Sequence, residues 1–166
     1  MIKDFNDLKQ VKETGFVGFL PKGELFLNCS CLPKEKGVYL VLHNPLKPTF
    51  LNIGTGGFFK GRDPNVPLSY LTAKWVNNAK VIYIGKAGGQ GIKATLHSRL
   101  KQYFSFGQGK NVGHWGGRLI WQLANSRDLI VCWKTLTVDE PRDVESFLIE
   151  NFKEQFGRRP FANLSD

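Results

Sequence analysis

The stretch Val81–Gly89 reads VIYIGKAGG, an apolar strand running into glycines and a lysine. Those residue types in that order are one way to cradle a phosphate. A Walker loop needs G-x-x-x-x-G-K followed by a hydroxyl residue that holds magnesium. Here Lys86 follows the first glycine directly, and GGQGIKA offers no such hydroxyl. The three-glycine pattern G-x-G-x-x-G is not matched either. No nucleotide cofactor is therefore expected, and the chemistry must lie in the strand itself.

Tyr83 and Gly85 close that strand as YIG, and an earlier apolar segment carries GVY at Gly37–Tyr39. Further along, LHSRLKQY supplies Arg99, ESFLIENF supplies Glu145, and RPFANLSD supplies Asn163. From about Gly37 to Asn163, with residues 44–80 set aside, this order of motifs resembles the GIY-YIG nuclease superfamily. The resemblance implies a small α+β domain with a mostly antiparallel central sheet flanked by helices. It implies Mg²⁺-dependent endonucleolytic hydrolysis of DNA, with Mn²⁺ as a substitute metal. Glu145 would be the metal ligand and Arg99 the phosphate clamp. Tyr39 would activate or orient water, with Tyr83, Lys86 and Asn163 in support. The alternative is a nucleic-acid-binding module that keeps the fold and cuts nothing.

Those residue types suit the chemistry. Phosphodiester hydrolysis needs an activated water, a clamp on phosphate charge and help for the leaving oxygen. Magnesium keeps several waters and is held by one or two carboxylates plus substrate oxygens, so Glu145 alone is an adequate anchor. Arginine presents a planar fork to two phosphate oxygens, which lysine cannot reproduce. A tyrosine hydroxyl titrates near 10, so activating Tyr39 means lowering it by about three pH units, or roughly 4 kcal/mol. Lys86, next to YIG, is the expected source of that field.

Two departures from the family pattern stand out. Some members carry a histidine one helical turn after the arginine, and Tyr103 occupies that position. His97 points elsewhere on the helix, and His43 and His114 read as surface or loop residues, so no histidine metal site is expected. Residues 44–80 form a long insertion between the two motif strands. Its FFKGRDPNVP segment, with Lys60 and Arg62, interleaves aromatics and cations. GKNVGHWGGR has the same character, with Lys110, His114, Trp115 and Arg118. Both compositions suit phosphate and base contacts.

The elements that must position these groups follow from periodicity. GVYLVLH and KVIYIG read as buried strands, and LIVCWKT as another, with RLIWQL as its hairpin partner across NSRD. Ala94–Phe106 has Leu96, Leu100, Tyr103 and Phe104 at helical spacing. The last helix has Asp139 as N-cap, Pro141 in its first turn and Gly157 past its end. Val144, Phe147, Leu148 and Phe152 are its expected buried stripe. A short helix is expected around Asn6–Glu13. The whole reads as one domain over 1–166, with 1–33 as an N-terminal extension.

Composition bounds the partners. Lys and Arg number 23 against 14 Asp and Glu, a net charge of +9, which favours a polyanion such as nucleic acid over a merely basic but otherwise ordinary surface. The resemblance narrows this to double-stranded DNA as the expected substrate. The opening MIKDFNDLKQVKETG has no apolar signal region, and no run approaches a membrane span, so a cytoplasmic protein is expected. Three cysteines, Cys29, Cys31 and Cys132, complete neither a disulfide framework nor a zinc site. The residues do not fix a recognition site or an oligomeric state.

Overall fold

The computed structural model describes residues 2–43 and 47–165. The insertion's first three residues, 44–46, lie outside the described residues. The fold is α+β, built on one four-stranded antiparallel sheet with order β1-β4-β2-β3. The strands are β1 (Val17–Pro21), β2 (Gly37–Leu42), β3 (Val81–Ala87) and β4 (Ile130–Thr135). The helices are α1 (Leu8–Glu13), α2 (Lys22–Leu27), α3 (Leu68–Lys74), α4 (Leu96–Phe106) and α5 (Pro141–Phe156).

The two motif strands are direct neighbours. Tyr39 lies opposite Gly85 on one side and opposite Trp133 on the other. Alternation along the strands sorts side chains to two faces. Tyr39, Val41, Tyr83, Val131 and Trp133 pack on the face covered by α4. Val38, Leu40, Ile84 and Cys132 pack on the other, against α1 and α5. Lys86 pairs with Val38 and so belongs to the α5 face.

Each helix has a local cause. Thr95 caps α4 by accepting from the Ser98 amide, and Ser98 returns the bond to the Thr95 amide, a full capping box. In α5, Glu140 rather than Asp139 is the N-cap, Pro141 opens the first turn, and Gly157 closes it at φ 72°. The buried stripe of α5 is Leu148, Ile149 and Phe152, with Val144 half-buried, whereas Phe147 is 48% exposed. Glu145 stands at i−3, i−4 and i−7 from that stripe and thus faces the sheet.

Two expectations are corrected. Residues 1–33 are not merely an extension, because Val17–Pro21 adds the edge strand β1 beside β4. RLIWQL is not a strand; Arg118–Gln122 is a 3₁₀ turn whose Leu119, Ile120, Trp121 and Gln122 are all buried. It is the seat of the insertion. The Gln122 side chain donates to the carbonyls of Leu51 and Val66 and accepts from the Val66 amide, holding the 50–66 loop against the core. No helix among the described residues is long and apolar enough to cross a membrane.

Candidate active site

Tyr39 and Tyr83 meet edge-to-face on the α4 side of the sheet, with ring centres 5.9 Å apart. The close approach depends on Gly85. A Cβ there would stand 2.4 Å from Tyr39 Cζ and 2.6 Å from its hydroxyl oxygen. Gly37 is equally constrained, since a Cβ would fall 2.2 Å from the Lys134 carbonyl oxygen. The glycines of both tripeptides are thus required by packing.

Arg99 projects from the stripe of α4 that also carries Leu96 and Tyr103. Its Nη1 donates to Gln102 Oε1 at 2.8 Å and to the Gly113 carbonyl at 3.2 Å, tying the 109–117 loop to the helix. That loop then folds over the tyrosines. A Cβ on Gly116 would lie 3.5 Å from the Tyr83 hydroxyl, and one on Gly117 would lie 3.3 Å from its ring.

On the opposite face, Lys86 pairs with Glu145 at 3.6 Å, and both are partly exposed. β3 is an edge strand, so groups of the two faces can act on each other around it. Glu145 raises the Tyr83 hydroxyl and Arg99 lowers it, while Arg99 also acts on Glu145. Burial is the largest influence on Tyr83, which is pushed up to about 12. Tyr39 is wholly buried and is held well above 10, by burial first and Tyr83 second, with Arg99 opposing.

The expectation that Lys86 lowers the Tyr39 hydroxyl is therefore corrected. Its ammonium is directed to Glu145, Arg99 is the cation that acts on Tyr39, and desolvation outweighs it. Tyr103 faces the core, with its hydroxyl buried and without a hydrogen-bond partner among the described residues.

His114 is the residue that sequence reasoning misplaced. It is fully buried rather than a loop contact for nucleic acid. Its Nε2 lies 3.5 Å from the Tyr39 hydroxyl, and its ring is 4.5 Å from Tyr103. Burial, with Arg99 second, holds it well below the usual histidine range, so the imidazole is neutral. A neutral buried histidine is also an acid-sensitive element. The unfolded chain protonates near 6.5 while the native one does not, so stability is lost as pH falls below that value. His43, lowered by burial as well, adds to the effect. Denaturation at several pH values should give a slope of up to about 1.4 kcal/mol per pH unit from His114 below about pH 6.5, and His114→Asn should remove it.

Asn163 serves backbone rather than substrate. Its side chain accepts from the Ile84 amide at 2.9 Å and donates to the Ile84 carbonyl at 2.8 Å, on the outer edge of β3. Asn163→Leu should cost about 2–3 kcal/mol, because both strand groups lose their partners, whereas a surface asparagine would cost almost nothing. Urea unfolding distinguishes the two.

The remaining basic residues spread out. Lys60, Arg62 and Lys110 are exposed on loops, and Arg118 is half-buried with its guanidinium 4.5 Å from the Trp115 ring centre. His43 is buried beside Trp75. Among the described residues no three His, Cys, Asp or Glu side chains gather into a metal-binding group. Glu145 is a single carboxylate, which suits only a hydrated ion completed by substrate oxygens. Compared with family models, curated proteins and solved structures, the chain has no significant match.

Proposed function

We propose that the protein is a GIY-YIG-type endonuclease that hydrolyses phosphodiester bonds in DNA with Mg²⁺. One observation carries the reading: GVY and YIG lie on adjacent paired strands, and Arg99 and Glu145, from two different helices, both act on Tyr83 there. Arg99 clamps the phosphate with its remaining donors, and its positive charge meets the charge that develops on the transferring group. Glu145, released from Lys86, would hold the ion, which when bound supplies Lewis-acid stabilisation of the phosphoryl and leaving oxygens. Lys86 then becomes a second cation for the phosphate. Tyr83 orients the attacking water, with Tyr39 and the neutral His114 beside it.

A DNA-binding module without cleavage is the second reading, favoured by the burial of both tyrosines and the Lys86–Glu145 pair. Supercoiled plasmid separates the two. The nuclease reading expects nicking with Mg²⁺ or Mn²⁺, none with EDTA, and a loss of at least about 100-fold in Glu145→Ala. Nicking that survives Glu145→Ala overturns the metal assignment. Retained DNA binding with no cleavage of plasmid, branched or single-stranded DNA selects the binding module. Arg99→Lys provides a further check. It keeps the charge but loses the fork, and a rate lower by about 10²–10³-fold is expected with DNA affinity nearly unchanged.

A further inference from the structure

The Trp121 indole, packed against Tyr103 at 4.9 Å, also forms the wall of a separate cavity of about 460 Å³. α2 contributes Lys22 and Phe26, and the stretch after the 3₁₀ turn contributes Ser126 and Arg127. Lys22 is 1% exposed, and its ammonium lies 3.8 Å from the Trp121 ring centre. Neither Lys22 Nζ nor Trp121 Nε1 has a hydrogen-bond partner among the described residues. Both groups only donate, so what they lack is an acceptor. The charges acting on Lys22 are Arg127, a second cation on the same cavity, and Asp128, which offsets it in part. Arg127 holds its guanidinium toward the Phe26 ring, 5.7 Å from the centre, on an exposed side chain.

Two orphaned buried donors, a cationic rim and a volume within the range of small-molecule sites describe one ligand chemistry. We propose that this cavity binds a small organic molecule through a phosphate or carboxylate group. The acid group accepts from Lys22, with Arg127 at the mouth. Lys22 reaches it by lifting from the indole face, which a four-carbon stem permits. Binding is coupled to protonation. Burial brings Lys22 down to about 7, so near neutrality an incoming anion draws a proton onto it. The site is independent of the nuclease reading.

The test titrates the full chain with adenosine monophosphate, succinate and inorganic phosphate, following the Trp121 indole N–H resonance and proton uptake by calorimetry in two buffers. Saturable binding of adenosine monophosphate or succinate is expected, with proton uptake near pH 7. Lys22→Met and Arg127→Ala should each weaken it by about tenfold or more. Arg127 is exposed, so its variant keeps the test valid should Lys22→Met perturb folding. Preference between the two organic probes identifies the acid group. The proposal is overturned if neither saturates below about 10 mM, an affinity too weak for a built site. It is equally overturned if only inorganic phosphate binds, or if both variants bind as the wild type does.

Discussion

Gly85→Ala is expected to destabilise the protein by about 2–3 kcal/mol, the usual cost of forcing a group into a packed core. The new methyl would overlap the Tyr39 ring end, which is itself buried between Tyr83 and His114 and has nowhere to move. An alanine also restricts the unfolded chain, a gain of about 0.4–1 kcal/mol, too small to reverse the sign. Urea unfolding should show a lower midpoint with an unchanged slope. A double-mutant cycle isolates the cause. In a Tyr39→Leu background, where the ring end is gone, the cost of Gly85→Ala should fall by at least 1 to 2 kcal/mol, roughly the coupling seen between touching residues. Equal costs in both backgrounds would show that the glycine serves something other than the tyrosine.

Lys22→Met should act in the opposite direction and only over part of the pH range. In the folded protein Lys22 titrates at about 7, against an ordinary value of 10.5. Between those values the unfolded chain binds the extra proton, so wild-type stability rises with pH and its deficit is full below about 7. The deficit amounts to roughly 5 kcal/mol. Methionine fills the same space without a charge. A gain of up to about 5 kcal/mol is expected near pH 6, fading toward zero by about pH 10. A gain of the same size at both pH values would mean improved packing rather than removal of a buried cation.

Much of the scaffold was legible because single-residue chemistry and periodicity agree. GVYLVLH and KVIYIG are apolar and β-branched, and they form β2 and β3. The proline and glycine at the ends of α5 fixed its limits to within a residue. RLIWQL was misread because a short run buried on every side has no period to distinguish strand from turn. β1 was missed because Gly18 and Phe19 both take positive φ and break its alternation at a bulge. The charged and polar residues of the site lie on paired elements whose order can be read. His114 and Lys22 could not be placed, because what buries them is a distant partner: Arg99 tethering a loop in one case, and the Trp121 indole in the other. A histidine in GHWGG and a lysine in PKGEL carry no local mark of burial.

The clasp of Asn163 on Ile84 also has a consequence in time. The Ala162 amide donates to the Ile82 carbonyl beside it, so residues 162–163 satisfy the open side of β3 in place of another strand. During synthesis β2, β3 and β4 are all made before that segment exists. The nascent sheet therefore has a bare hydrogen-bonding margin until residue 163 has left the ribosome, an opening through which another chain can pair. Variants at Asn163 would prolong that interval, so their yield during expression should fall further than their equilibrium stability implies.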